Sequence, residues 1–382
     1  MSPNQPNSDI DQSSILDRII IAQEVSHREH FKPQAVLNEL LQRLSERERQ
    51  VLLRRFGLSG GESETLDSIG KSFHVTRERI RQIERLGVRK LKDDKQAQAL
   101  LEPVRQVVVE VLETEGGIVP SERLLPALAA LGEVNSNLIN FYLAEMLDEV
   151  VAPVGGDGAA LAPGWRLRTA AVAALDILVN QAQDIITSRG APMLEETLGH
   201  ALAAAGLKTP LGLPLTDSRV VLWLLEISLQ VKRNTFGEWG LSHWETITPK
   251  RMNDKIYLVL KKFGKPLHFR EITRLINEAK FDHKIAYPPT VHNELILDQR
   301  YVLVGRGIYA LGEWGFVPGV VADVIASILT NRGLPMSREE IVGEVLKQRY
   351  VKRGTIHLAL TNQQRFIRQP DGRYMVITVN PT

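Results

Sequence analysis

Residues 65–91 read TLDSIGKSFHVTRERIRQIERLGVRKL and carry the clearest structural signal in the chain. Thr65 and Thr76 each stand where they can cap a helix, because a threonine hydroxyl accepts a hydrogen bond from the free amides of the first turn. Between the two predicted helices, His74-Val75 predicts a tight turn. Histidine tolerates a left-handed backbone better than most non-glycine residues, so a turn at this position is plausible.

The second predicted helix is apolar on one face and cationic on the other. Ile80, Ile83 and Leu91 recur at helical spacing and predict the inner face. The outer face carries Arg77, Glu78, Arg79, Arg81, Gln82, Arg85 and Arg89. This arrangement predicts a helix-turn-helix whose second helix lies in the major groove of DNA. Arginine and glutamine side chains match guanine and adenine edges there, and a glutamate can accept from cytosine.

An earlier helical segment, 36–56, precedes this pair. Within it, Ser45-Glu46-Arg47-Glu48 has the form of a capping box, so a fresh turn is predicted to begin at Ser45. Gly57 and Ser59-Gly60-Gly61 are expected to end that helix. The region 36–92 is therefore predicted to be a small, all-helical domain.

Residues 36–92 resemble region four of bacterial sigma-70-type factors. The resemblance rests on LSERER at 44–49, LRRFGL at 53–58, TLDSIG at 65–70 and TRERIRQIE at 76–84. It implies recognition of the promoter −35 element in double-stranded DNA and docking on the β flap of RNA polymerase. By position, Arg77, Glu78, Arg81 and Gln82 would face bases, whereas Thr76 and Arg79 would mostly meet phosphates.

The sequence departs from the family pattern at two places. His74 stands where glycine is common, and Arg85-Leu86-Gly87 follows the recognition motif where the family usually has Ala-Lys-Ala. Backbone contacts after the motif are therefore left open. No counterpart of sigma region two is found, and the 40 residues before Leu41 are too few to hold it. The expectation is a −35 reading domain without a promoter-melting region.

Charge is distributed unevenly along the chain. The net formal charge is only +2, but residues 41–92 hold 13 basic and 7 acidic side chains, a net charge of +6. The segments 93–170 and 171–249 have net charges of −7 and −3, and the segments 250–314 and 315–382 have +5 and +4. Basic segments suit a polyanion, whereas acidic ones suit solvation or a basic protein surface.

Composition excludes several classes of protein. The 382 residues include no cysteine, which removes disulfides and thiolate metal sites. No apolar run approaches the ~18 residues of a membrane span, and the polar start lacks the features of a signal peptide. The expected location is the cytoplasm, in association with the nucleoid. The length suggests two to four domains of ordinary size.

The remainder of the chain shows a pattern that recurs four times. Each repeat has an aliphatic helix, a break that begins with glycine and ends with proline, two further helices and a hairpin. The break glycines are Gly117, Gly190, Gly264 and Gly333, and the hairpin glycines are Gly164, Gly237, Gly307 and Gly372. These features predict tandem winged helices, here called units 1 to 4, at 100–168, 169–246, 250–315 and 317–380. The predicted fold class is mainly α with small β-wings, preceded by a flexible segment at 1–35.

Unit 3 resembles the HARE-HTH domain, a winged helix also found in the δ subunit of RNA polymerase. The resemblance rests on residues 256–272, 290–295 and 301–311. Candidate DNA contacts are Lys265, His268, Arg270 and Arg306, together with Lys261, Lys262 and Arg300. Winged helices also serve as protein-binding modules, and the sequence leaves both roles open.

Units 1, 2 and 4 differ in charge. Unit 4 begins its second helix with a capping box at Ser337 and carries Lys352, Arg353, Arg365, Arg368 and Arg373 in its third helix and wing. Units 1 and 2 are acidic, so phosphate repulsion makes them poor candidates for DNA binding. They are expected to act as spacers or as protein-docking modules.

No enzyme signature, cofactor motif or metal site is predicted. His27 and His30 lack further ligands, and the glycine-rich segment 155–158 fits the tip of a wing better than a phosphate loop. The favoured hypothesis is a DNA-binding transcription factor. Two alternatives remain open: a protein-interaction factor that competes with sigma for the polymerase flap, and the DNA-recognition subunit of a defence or restriction system.

Overall fold

A computed structural model of the chain describes residues 31–377. Its first region has four helices: α1 (Pro33–Gln42), α2 (Glu46–Phe56), α3 (Leu66–Ser72) and α4 (Arg77–Asp93). Of the segment predicted to be flexible, 1–35, residues 1–30 lie outside the described residues. Helix α1 begins at Pro33.

The helix starts follow the capping residues that the sequence predicts. Ser45 and Glu48 form a reciprocal capping box at the start of α2. The hydroxyls of Thr65 and Thr76 accept the amides of Ser68 and Arg79, each at 3.2 Å. The boundaries of α2, α3 and α4 are thus set by local hydrogen bonds, and these predictions are confirmed.

Unit 1 follows without a break. It comprises α5 (Lys95–Thr114), β1 (Ile118–Pro120), α6 (Ser121–Leu131), α7 (Ser136–Phe141), a π-helical turn (Tyr142–Met146), β2 (Val151–Val154) and β3 (Gly164–Leu167). The three strands form an antiparallel sheet in the order β1-β3-β2. The glycine-rich segment 155–158 lies between β2 and β3, at the predicted hairpin tip.

The next elements are α8 (Val172–Arg189), β4 (Met193–Leu194), α9 (Glu195–Ala203), α10 (Ser218–Leu225), β5 (Val231–Arg233) and β6 (Glu238–Leu241). The described residues divide into two compact parts, one ending at Lys232 and the other beginning at Arg233. The division falls inside the span predicted for unit 2.

The second compact part contains two further sets of elements. The first set is α11 (Met252–Phe263), β7 (Leu267–His268), α12 (Phe269–Ala279), α13 (Pro288–Leu297), β8 (Tyr301–Gly305) and β9 (Ile308–Leu311), with sheet order β7-β9-β8. The second is α14 (Val321–Arg332), α15 (Arg338–Gln348), α16 (Arg353–Leu360), β10 (Phe366–Arg368) and β11 (Tyr374–Val376). The helices α8, α11 and α14 end at Gly190, Gly264 and Gly333, each in the left-handed conformation that glycine adopts without strain.

The fold is therefore mainly α-helical with small antiparallel sheets, as predicted. Separate buried clusters form around Ile69 and Ile80 in the N-terminal domain, around Ile256 and Leu295 in unit 3, and around Ile325 and Ile356 in unit 4. Each of the four sets of elements has three helices followed by two paired antiparallel strands. The assignment of the units as winged helices, with their boundaries, stays a prediction, as does the HARE-HTH resemblance.

Candidate nucleic-acid interface

Helix α4 presents the predicted DNA-facing side chains on its outer face. Thr76, Arg77, Glu78, Arg79, Gln82, Arg85 and Arg89 are exposed, and Arg81 is half-exposed. On the inner face, Ile80 and Ile83 pack in a buried cluster with Val51 of α2 and Ile69 of α3. This three-helix core fixes the axis of α4 and leaves its first two turns open to a ligand.

The turn before α4 depends on two unusual backbone positions. His74 has a φ of 56°, which confirms the predicted left-handed turn. Gly70 allows the chain to pass closely, since a Cβ atom at this position would stand 2.8 Å from the carbonyl oxygen of Val75. The two helices α3 and α4 can therefore meet in the short connection that a helix-turn-helix requires.

The exposed side chains of α4 are ordered by hydrogen bonds to one another. Arg81 donates from Nε to Glu78 Oε2 at 2.8 Å, and Arg79 donates to the side-chain oxygen of Gln82 at 3.1 Å. The hydrogen bond from Arg81 lowers the pKa of Glu78, which stays ionised at neutral pH. A ligand that binds the Arg81 guanidinium would therefore have to replace or share the bond to Glu78.

Arg54 and Glu64 hold the loop between α2 and α3. The guanidinium makes two hydrogen bonds to the carboxylate, each 2.7 Å long. These bonds, with one from Ser68, lower the pKa of Glu64 to about 2. The bidentate pair gives this loop a fixed geometry although it contains Ser59-Gly60-Gly61.

Unit 1 packs against the N-terminal domain, an arrangement that the sequence did not indicate. The ring of Phe141 lies 5.0 Å from that of Phe56, centroid to centroid. The hydroxyl of the fully buried Tyr142 donates to the carbonyl oxygen of Pro33 at 2.7 Å. The domain therefore has a second, covered face made by α1 and α2, while the first turns of α4 stay exposed.

Acidic residues of unit 1 lie beside the second half of α4. Lys92 pairs with Asp148 at 2.8 Å. A groove of about 360 Å³ is lined by Glu84, Arg85, Val88, Arg89, Lys92, Asp93 and Glu145. Burial raises the pKa of Glu84 and of Glu145, and their mutual repulsion raises that of Glu145 further. The predicted DNA-facing residues thus form two groups. Those at 76–82 lie away from the carboxylates of unit 1, whereas Arg85 and Arg89 line the same groove as Glu145.

The four candidate residues of unit 3 lie in three places: Lys265 precedes β7, His268 and Arg270 lie where β7 meets α12, and Arg306 lies in the β8–β9 turn. His268 pairs with Ile308 across β7 and β9, and the amide of Phe269 donates to the carbonyl of Gly307 at 2.9 Å. Arg306 precedes that glycine, and the Arg270 guanidinium lies 5.9 Å from the ring of Phe269. Lys265, Arg270 and Arg306 are exposed, and the β8–β9 turn lies against His268 and Phe269; the four candidate residues are called the basic patch of unit 3.

Four aromatic rings, which include that of His268, lie next to one another at this patch. The rings of His268 and Phe269 are 4.6 Å apart, those of Phe269 and His292 4.5 Å, and those of His292 and Tyr309 5.8 Å. The other predicted cations of unit 3 have neighbours of their own. Lys261 and Lys262 lie over the rings of Tyr257 and Phe236, and Arg300 pairs with Asp298 at 3.0 Å.

Within residues 31–377, no three histidine or carboxylate side chains are grouped as metal ligands would be. In the same span no helix combines the length and the apolar character needed to cross a membrane.

Comparison of the sequence with known proteins finds similarity in one region of the chain. The family model for Sigma-70, region 4 matches residues 40–93. The RNA polymerase sigma factor SigA of Lactococcus lactis subsp. cremoris is 37% identical over 103 residues, which is 26% of this chain and 28% of the relative. SigA of Nostoc sp. (strain PCC 7120 / SAG 25.82 / UTEX 2576) is 49% identical over 69 residues, 18% of each chain. SigA of Bacillus sp is 50% identical over 64 residues, 17% of each.

The chain thus spans less than a third of the length of these curated relatives. The matched region contains the capped helices, the left-handed turn at His74 and the exposed outer face of α4. Residues 40–93 are a sigma-70 region 4 domain.

Proposed function

We propose that this protein is a non-enzymatic, sigma-like transcription initiation factor or regulator. Its region 4 domain reads −35-like promoter DNA through the first turns of α4 and associates with RNA polymerase through the β flap. Its place of action is the cytoplasm, at the nucleoid.

The observation that carries the proposal is the exposed first half of α4. Arg77, Glu78, Arg81 and Gln82 lie on a helix that is capped by Thr76 and supported by the buried Ile80. These side-chain types can discriminate base edges in the major groove, and Arg79 and Thr76 can hold phosphates. The patch of Lys265, His268, Arg270 and Arg306 in unit 3 adds a second set of interactions with the DNA backbone.

The test is binding of the full chain to a duplex that carries a −35 element. Arg81→Ala with Gln82→Ala should cost about 1–3 kcal/mol for each base that these side chains read, and it should relax sequence preference. Lys71→Ala is a matched control, because Lys71 is an exposed cation on α3 that pairs with Asp67 at 2.9 Å. The proposal fails if the double variant keeps the wild-type sequence preference.

A second function is favoured by the surroundings of Asp148 and Glu145. These carboxylates of unit 1 already lie against cations of α4, as a nucleic-acid mimic would. In this alternative the chain is a protein-interaction factor that competes with sigma factors for the flap. Co-elution with RNA polymerase, together with absence of measurable affinity for DNA, would select this alternative over the first.

A further inference from the structure

The third helix of unit 4, α16, begins with two exposed cations. Lys352 precedes the helix and Arg353 is its first residue. Neither side chain has an ion-pair partner among residues 31–377. The next two residues, Gly354 and Thr355, are small and exposed, so a bulky ligand can approach the helix start.

The corresponding helices of the other units lack this feature. The sequence of α7 contains no charged residue, and Arg219 of α10 is held by Asp217 at 3.0 Å. Helix α13 contains no lysine or arginine and carries Glu294. Each unit has a third helix. Among these four helices, and within the described part of the chain, only α16 starts with positive charges that have no ion-pair partner.

Two consecutive residues before α16, Arg349 and Tyr350, are held by hydrogen bonds to backbone carbonyls. Arg349 is buried and donates to the carbonyl oxygens of Val317 at 2.7 Å, of Gly319 at 2.6 Å and of Leu303. The amide of Tyr350 donates to the carbonyl oxygen of Val304 at 2.8 Å. Lys352 and Arg353 follow after Val351, so the segment that leads into α16 is held by hydrogen bonds two to four residues before these cations.

The hairpin that follows α16 shares its core and adds another exposed cation. Ile356 and Leu360 of α16 are buried with Phe366 of β10 and Tyr374 of β11. Arg368 is exposed and has no ion-pair partner in the described residues. Arg365, by contrast, pairs with Asp323 at 2.7 Å. The unpaired cations thus lie on the helix start and on the strand next to the turn.

We propose that unit 4 is a further binding module for duplex DNA, in which Lys352, Arg353 and Arg368 neutralise backbone phosphates. A helix start with a hairpin beside it fits the wide major groove and the adjacent backbone. Phosphate contacts carry no sequence information, so this module binds duplexes irrespective of sequence. The proposal is independent of base reading by α4.

The test measures binding of the full chain to a 40-base-pair duplex of random sequence over a series of KCl concentrations. Lys352→Gln with Arg353→Gln should weaken binding about tenfold or more at moderate salt. It should also reduce the slope of log affinity against log salt by about 2, since each neutralised phosphate contributes roughly 0.9. The same loss of affinity is expected in a background that carries Arg81→Ala and Gln82→Ala.

The matched control is Arg332→Gln with Lys347→Gln. This pair removes the same charge from the same unit, but both side chains are ion-paired, with Glu340 at 3.3 Å and Glu344 at 2.8 Å. Little change in affinity is expected of it. Equal losses of affinity in both double variants would show that the effect comes from the net charge of the unit and not from these positions, and this result would overturn the proposal. An unchanged affinity in the first variant, whether or not it still binds RNA polymerase, would also overturn it.

Discussion

At the scale of single residues, Arg349 shows a cation used as a structural group. Its guanidinium is buried and its acceptors are three backbone carbonyls instead of a carboxylate. Burial accordingly lowers the pKa of Arg349. The planar group can reach several carbonyls at once, which a lysine ammonium cannot do with the same geometry.

Removal of this group should destabilise the C-terminal compact part. Arg349→Met would leave three partly buried carbonyls without their donor, at a cost of about 1–3 kcal/mol in the free energy of unfolding. Arg349→Lys should recover only part of that stability. Denaturant unfolding provides the measurement, with the exposed Arg332→Met as control. Equal unfolding midpoints for Arg349→Met and the wild type would contradict this role.

Glu145 is the residue from which a pH dependence follows. Burial raises its pKa, and the neighbouring Glu84 carboxylate raises it further. A folded-state pKa above the unfolded value means that the folded protein binds the proton more tightly. Stability is therefore lost as pH rises from the unfolded value, about 4.3, through the folded one.

Glu145→Gln should accordingly raise the melting temperature at pH 7. The advantage should shrink as pH falls and vanish near pH 4, where the wild-type carboxyl is protonated in the folded state and largely so in the unfolded one. Thermal melts at a series of pH values test this, and Glu149→Gln, at an exposed neighbouring position, is the control. A pH-independent difference between Glu145→Gln and the wild type would argue against the carboxylate as its cause.

At the scale of elements, the helix boundaries could be predicted because their causes are local. Ser45, Thr65, Thr76 and Ser337 all cap helices within three residues of themselves, so the sequence alone contains both partners of each bond. The turn at His74 is local in the same sense. The outer face of α4 followed from the same local periodicity.

The packing of unit 1 on the region 4 domain could not be predicted in this way. Phe141 and Tyr142 are aromatic residues in a short helix and a π-helical turn, and their partners Phe56 and Pro33 are distant in sequence. Such residues look the same in a sequence whether they face their own core or a neighbouring domain. Arg349 presents the same problem, since a buried arginine and a solvated one have identical sequence signatures.

Removal of the Phe141 ring should loosen this packing. Phe141→Ala should cost about 3–5 kcal/mol, the usual range for a buried aromatic side chain. Tyr142→Phe should cost less, about 0.5–1.5 kcal/mol, because it removes only the hydrogen bond to Pro33. Hydrogen exchange of α1 and α2 amides measures the effect. Unchanged exchange in Phe141→Ala would show that unit 1 does not stabilise the domain.

At the scale of the whole molecule, the small net charge conceals opposite segments. The region 4 domain is basic, units 1 and 2 are acidic, and units 3 and 4 are basic again. The sequence therefore predicts that the isolated region 4 domain binds DNA with a steeper salt dependence than fragments spanning 93–249. The structure adds that an isolated domain would lack the cover that Phe141 gives to Phe56, so salt dependence is better measured on the full chain.

We expect the first turns of α4 to read the sequence of duplex DNA. Affinity of the full chain for a −35 duplex and for single base-pair variants of it tests this most directly. Changes at the base pairs that α4 reads should each cost about 1–3 kcal/mol, and these penalties should disappear in the Arg81→Ala, Gln82→Ala variant. Equal affinity of the wild-type chain for every duplex in the series would contradict the claim.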